Sequence, residues 1–119
     1  MNEPRTEIRA IVRRKWVSVQ VAQITHFTAG DKYVTAHFPG GEILLSGKES
    51  LNKLEAEFGD AFLRTHRSVL VARRMLGSLR RAPGSHTADL KIIGVDGIYP
   101  VSYSRYPTVR KALAERRTA

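Results

Sequence analysis

Apolar and polar positions alternate with a period of two along the first third of the chain, which is the pattern of half-buried strands. β-branched and aromatic residues, which favour strands, are frequent between Ile8 and Phe38. The dipeptide Gly30-Asp31 interrupts this stretch, and Pro39-Gly40-Gly41 predicts a turn before a return strand from Glu42 to Leu45. The pattern therefore predicts antiparallel strands that include a hairpin about this turn.

A helical period replaces the alternation in the middle of the chain. Apolar residues recur there at i, i+3 and i+7, namely at Leu51, Leu54 and Phe58. Ser46 and Glu49 have the spacing of a capping box, and Gly59 is a typical residue for a helix C-terminus. We therefore predict a helix over Lys48 to Phe58.

The remainder of the chain predicts further strands and one closing helix. The block Phe62 to Val71 follows the first helix. The predicted strands after it are Met75 to Leu79 and Leu90 to Val95, and Asp96-Gly97 signals a two-residue hairpin into Ile98 to Val101. Pro107 suits the first turn of a helix, and we predict this helix over Pro107 to Glu115 with Tyr106, Val109 and Leu113 as its buried face. The fold class is therefore mainly β, with short antiparallel strands and two helices.

Charge narrows the choice of partner. The 119 residues are enough for one domain, and 20 Lys and Arg against 11 Asp and Glu give a net charge of +9. Such a balance favours a polyanion as partner. An anionic membrane surface would require a basic amphipathic helix with bulky apolar anchors, and no segment of the sequence combines these features. The absence of cysteine excludes disulfides and thiolate chemistry and fits the cytoplasm.

The sequence offers little to an enzyme. Its four histidines, His26, His37, His66 and His86, lack the spacing of metal ligands. Ser102 and Ser104 have no neighbouring histidine and do not lie in a nucleophile elbow. We therefore predict no catalytic residues, no metal and no cofactor.

Three basic residues lie at expected junctions between elements, where a rigid sheet holds loops that can enter DNA grooves. These residues are Lys32, Arg67 and Arg105, each beside small or polar neighbours. The basic runs Arg13 to Lys15 and Arg116-Arg117 are interpreted instead as solvated surface. If separate loops enter successive grooves, the three basic residues should be exposed, on one side, and separated by distances comparable with the groove repeat of about 34 Å.

The order of motifs resembles the LytTR family of DNA-binding domains from about Ile8 to Leu113. The matching pieces are Gln23 to Phe27, Asp31 to Thr35, Ser50 to Glu55, Phe62 to Val71 and Pro100 to Ser102. Of these, the Phe-x-Arg-x-His-Arg-Ser block at its distance after the helix is the most specific. Within the family, the sequence is most similar to output domains of proteobacterial response regulators of alginate and fimbrial genes.

The resemblance implies an elongated arrangement of small antiparallel sheets whose loops contact DNA. Carried over to this chain, the residues implied to reach bases are Lys32, Arg67 and Arg105. Those implied to contact phosphates or to support the site are Ser68, Tyr103, Ser104, Lys48 and His66, with His66 mainly structural. The family commonly has Arg directly after the Ser of Val-Ser, whereas Tyr103 and Ser104 precede Arg105 here. The third contact therefore stays open among these three residues.

The same resemblance implies the setting of the domain. We expect a leader or linker end over residues 1–7, the DNA-binding domain over 8–114 and a basic tail over 115–119. The expected partners are double-stranded DNA with promoter repeats and a receiver or sensor domain upstream in the parent protein. The isolated domain is expected to be a cytoplasmic monomer that pairs on DNA and regulates transcription in a bacterial two-component system.

Two alternatives remain at this stage. The first is a β domain that binds RNA or single strands, which would need exposed aromatic platforms, whereas the pattern predicts that Trp16 and the phenylalanines are buried. The second is a protein-interaction module whose basic charge serves solubility. Comparison of duplex and single-stranded binding separates these hypotheses.

Overall fold

The computed structural model describes residues 3–81 and 83–118. Within these ranges ten strands form three antiparallel sheets: β1 (Glu7–Val12) with β2 (Lys15–Gln20); β3 (His26–Ala29), β4 (Val34–Phe38), β5 (Gly41–Leu44), β6 (Phe62–His66) and β7 (Val69–Ala72); and β8 (Leu76–Arg81), β9 (Ala88–Ile92) and β10 (Tyr99–Val101). The helices are α1 (Leu51–Phe58) and α2 (Tyr106–Thr118). The predicted mainly β class is confirmed.

The five-stranded sheet is the centre of the molecule, with strand order β5-β4-β3-β7-β6. Its central strand β3 pairs with β4 and also with β7, which is distant in sequence. Short 3-10 turns at Val21–Gln23, Gly59–Ala61, Arg73–Met75 and Tyr103–Arg105 connect elements. The molecule is elongated, with extents of 47 × 30 × 26 Å, as the family resemblance implies.

Strands β6 and β7 separate two hydrophobic cores. Phe62 and Leu70 face the first core, with the β1–β2 hairpin and α1. Leu63 and Val71 face the second, with the three-stranded sheet and α2. Because successive strand residues point to opposite faces, all four residues of β7 are buried. This burial explains why Val69 to Ala72 is a continuous apolar run instead of an alternating one.

The first helix is confirmed, but its predicted beginning is wrong. Leu51, Leu54 and Phe58 are buried as expected, and Gly59 follows with a positive φ of 55°. The N-cap is Ser50, whose hydroxyl accepts the backbone N–H of Lys53 at 3.1 Å. The hydroxyl of Ser46, the predicted cap, instead accepts the N–H of Lys48 in the preceding turn. The helix therefore begins at Leu51, directly after the residue whose side chain caps it.

Two further expectations need correction. The strand predicted to reach Val95 ends at Ile92, and a loop over residues 93–98, not a two-residue turn at Asp96-Gly97, joins it to β10.

Trp16 is 64% exposed. It pairs across the hairpin with Ile11, which is also exposed, and the guanidinium of Arg9 lies 4.8 Å from its ring centroid. The outer face of the hairpin is therefore exposed to solvent. The prediction that Trp16 is buried is wrong.

The tip of the first hairpin and the last helix agree more closely with the predictions. Arg13 and Arg14 form the exposed tip of the first hairpin, with φ of 51° and 66°. Val109 and Leu113 are buried on α2, which extends to Thr118, beyond the predicted end at Glu115. Residues 1, 2 and 119, which belong to the expected leader and tail, lie outside the described residues. No helix in the described part of the chain is both long and apolar enough to cross a bilayer.

The stacked rings of His26, which is buried, and His37, which is half-buried, should make the fold less stable in acid. The His26 and His37 rings stack with centroids 4.1 Å apart, and burial together with the His37 charge lowers the pKa of His26 to about 4. Burial also lowers the pKa of His37. Both rings are therefore neutral in the folded state at pH 7, whereas an unfolded histidine binds a proton below about pH 6.5.

We expect the free energy of unfolding to be highest above pH 6.5 and to fall as the pH decreases toward 4. A loss of about 2–3 kcal/mol between pH 7 and 4.5 corresponds to the His26 shift. Urea titrations at these two pH values measure it. His26→Gln should flatten this dependence, and equal unfolding free energies of the wild type at both pH values would contradict the prediction.

Candidate nucleic-acid interface

Backbone hydrogen bonds bring three loops together at one end of strands β6 and β7. The N–H of Ala29, at the start of the β3–β4 loop, donates to the carbonyl of Ser68 in the β6–β7 turn at 2.9 Å. The N–H of Ser102, just after β10, donates to the carbonyl of Thr65 at 3.0 Å. The three loops that sequence analysis selected are thus neighbours, although far apart in the chain.

The first and second loops share a cleft. Lys32 lies in the β3–β4 loop, which the hydrogen bond from the Gly30 N–H to the Tyr33 carbonyl closes at 2.9 Å. Lys32 and Arg67 are exposed, and both line a cleft of about 240 Å³. Asp31 and Glu49 line the same cleft. The expectation that the basic residues are a groove repeat apart is therefore wrong for Lys32 and Arg67, which can approach one stretch of DNA together.

A buried arginine that sequence analysis did not select holds the second loop. Arg64 is 8% exposed. Its Nε donates to the carbonyl of His66 at 2.9 Å and its Nη2 to the carbonyl of Arg67 at 2.5 Å. Its Nη1 donates to Asn52 Oδ1 at 2.8 Å and to Glu55 Oε1 at 3.0 Å on α1. Arg64 therefore fixes the turn that presents Arg67 and joins it to α1.

His66 and Ser68 also stabilise this turn. The backbone N–H of Ser68 donates to His66 Nδ1 at 3.2 Å, and the Ser68 hydroxyl lies 2.9 Å from the same nitrogen. Since Nδ1 accepts, the ring proton of neutral His66 is on Nε2. Burial lowers the pKa of His66, and the charges of Arg67, Arg105 and Arg64 lower it further. His66 is therefore neutral at pH 7, because burial and the three arginine charges disfavour its protonation.

The third loop follows β10 and contains Tyr103, Ser104 and Arg105. Its 3-10 turn, Tyr103–Arg105, begins after Ser102, whose carbonyl accepts the N–H groups of Arg105 and Tyr106, both at 3.1 Å. Arg105 is half-buried instead of exposed as predicted, and its charge lowers the pKa of His66 in the second loop. Tyr103 is 63% exposed, with its ring near His86 and its centroid 5.6 Å from the Arg81 guanidinium. Tyr103 therefore lies against the β8–β9 hairpin, whereas Arg105 follows it in a turn that the Ser102–Thr65 hydrogen bond joins to β6.

The other selected residues lie around these loops. Ser104 is exposed within the third loop, and Lys48 is exposed in the segment before α1. The structure thus brings Lys32, Arg67, Ser68 and His66 together, with Arg105 beside them. Arg64 had no sequence signal for its role, because its partners Asn52 and Glu55 lie on a separate element, α1. Arg81, which also lies 5.2 Å from the Tyr106 ring centroid, had no sequence signal beyond its charge.

Among the described residues, no three His, Cys, Asp or Glu side chains are grouped as a metal site would require.

Comparisons with known proteins agree on one family. The sequence model of the family described as the LytTr DNA-binding domain matches residues 14–114. The positive alginate biosynthesis regulatory protein of Pseudomonas aeruginosa is 40% identical over 94 residues, which are 79% of this chain and 37% of that protein. The chain thus spans little more than a third of this relative. A solved LytTr DNA-binding domain from Bacillus cereus superposes with a TM-score of 0.76 over 92% of this chain and 97% of its own, at 23% identity, and shows that the fold is shared.

Proposed function

Because the chain belongs to the LytTR family of DNA-binding domains, we propose that its three converging loops hold it on duplex DNA and read the sequence of a regulatory site. The observation that supports this proposal best is the cleft where Lys32 and Arg67 are exposed side by side. A guanidinium or ammonium group can donate to O6 and N7 of guanine in the major groove. We assign base contacts to these two residues.

We assign the third base contact to Arg105 because it is the basic residue of the third loop, which the Ser102–Thr65 hydrogen bond holds beside the β6–β7 turn. Tyr103, Ser104, Lys48 and Ser68 would then contact phosphates, which position a protein on the duplex without discriminating between sequences. His66 would act mainly as a support, since its Nδ1 is engaged with Ser68. This division of roles separates residues that determine specificity from residues that add affinity alone.

The relative from P. aeruginosa suggests a wider setting. It is a positive regulator of alginate biosynthesis, and we propose that this chain is likewise the output domain of a bacterial transcription regulator in the cytoplasm. A receiver or sensor domain in the parent protein would control it. Pairing of two monomers on promoter repeats would extend the footprint on DNA.

Binding should depend steeply on salt because the net charge is +9. Neutralising roughly six phosphates predicts a slope near −5 in a plot of log affinity against log salt. Fluorescence anisotropy of labelled duplexes at several salt concentrations measures this slope. A matched single-stranded oligonucleotide is the control, and equal or tighter binding to it would contradict the assignment to duplex DNA. A selection from a random duplex pool provides the specific site.

A further inference from the structure

Arg5, which precedes β1 and lies outside the residues matched by the family model, makes a dense set of polar contacts. Its guanidinium donates to both oxygens of Glu49, at 2.9 and 3.1 Å, and to both oxygens of Glu57, at 2.9 and 2.7 Å. Its backbone N–H adds a bond to Glu57 at 2.9 Å. Arg5 is therefore fixed between two carboxylates, one just before α1 and one in its last turn.

These carboxylates differ in their distance from the interface. Glu49 lines the cleft that Lys32 and Arg67 also line, so its charge is close to any phosphate that approaches them. Glu57 lies at the other end of α1. Hydrogen bonding to the two glutamates raises the pKa of Arg5, and the bond from Arg5 lowers the pKa of Glu57, so Arg5 and Glu57 are both charged at neutral pH. Without Arg5, Glu49 would lose both of the hydrogen bonds that Arg5 donates to it and would present more negative charge at the cleft.

Arg5 and Arg64 also hold α1 from two directions. Arg64 binds Asn52 and Glu55 of α1 and the carbonyl of Arg67. A continuous set of polar contacts therefore runs from the segment before β1, through α1, to the turn that presents Arg67.

We infer that Arg5 is a positioning residue for DNA binding, which neutralises Glu49 at the edge of the Lys32–Arg67 cleft without touching DNA itself. This inference rests on the proposed function. It implies that the segment before β1 sets DNA affinity through one ion pair, since release of Arg5 would restore the repulsion between Glu49 and phosphate.

The test compares two variants that each lose one positive charge. Arg5→Gln removes the partner of Glu49, whereas Arg9→Gln removes an exposed charge that lies over Trp16. We expect Arg5→Gln to bind both a selected and a scrambled duplex about three- to ten-fold more weakly at low salt, and Arg9→Gln to change affinity by less than about two-fold. The double variant Arg5→Gln, Glu49→Gln should recover to within about two-fold of the wild type. Thermal unfolding of each variant shows that it is folded.

Equal effects of Arg5→Gln and Arg9→Gln, in a chain whose wild type binds duplex DNA, would overturn the inference and leave the proposed function intact. Failure of the double variant to recover would also overturn it, because charge at Glu49 would not be the cause. A wild type that binds neither duplex would overturn the proposed function, and the inference with it.

Discussion

Arg67→Ala should weaken binding to a selected duplex by about 1–3 kcal/mol and relax the preference at one base-pair position, as expected when one bidentate contact to a guanine is lost. The side chain is exposed at the tip of a turn whose carbonyls are already held by Arg64. Its loss should therefore leave the fold unchanged. Anisotropy titrations with the selected duplex and with single-base variants of it measure both effects.

The control for this prediction is Tyr103→Phe, which removes one exposed hydroxyl from the third loop. Loss of a residue that contacts phosphate should lower affinity for selected and scrambled duplexes by the same factor. We expect this behaviour for Tyr103→Phe and a selective loss for Arg67→Ala. If Arg67→Ala weakened both duplexes equally, Arg67 would be a backbone contact and its assignment to base recognition would be wrong.

Arg64→Met should lower the free energy of unfolding by about 2–4 kcal/mol, because it removes one partner from a buried, charged hydrogen-bond network. The carbonyls of His66 and Arg67 and the Glu55 carboxylate would each lose a donor. Arg64→Lys keeps the charge but cannot make the same planar set of bonds, so it should recover only part of the loss. Urea titrations of the three proteins measure these differences.

The same two variants distinguish the effect of Arg64 on the stability of the fold from its effect on the position of Arg67. DNA affinity of Arg64→Lys, measured where the variant is fully folded, should fall because the Arg67 turn is less constrained. An Arg64→Met protein within about 0.5 kcal/mol of the wild type would show that the network contributes nothing net.

Local patterns were sufficient for most of the secondary structure. Leu51, Leu54 and Phe58 defined α1, and the turn at Pro39 to Gly41 defined the β4–β5 hairpin, because these signals arise from neighbouring residues. The cap was misplaced at Ser46 because its spacing to Glu49 matched a capping box, whereas Ser46 caps the preceding turn and Ser50 caps the helix. Trp16 failed for a different reason: the sequence does not tell which face of a strand lacks a second layer.

The candidate site was predictable as a set of residues but not as an arrangement. Lys32 and Arg67 were selected from charge, junction position and family resemblance. That they share one cleft depends on the hydrogen bond between Ala29 and Ser68, which joins segments 39 positions apart in the chain. Arg64 was missed because a buried arginine in a strand acquires its role from partners on α1. Long-range pairing, and not local propensity, fixes these features.

Burial of β7 on both faces also affects how the domain can evolve. Each residue from Val69 to Ala72 is committed to one of two cores, so a polar substitution there would disrupt packing on one side or the other. Arg67, by contrast, lies at an exposed turn at the edge of this strand. Substitutions at such a turn are typically close to neutral for stability. If the loops read DNA as proposed, substitutions in them can change target preference at little cost in stability, whereas substitutions in β7 would lower the free energy of unfolding.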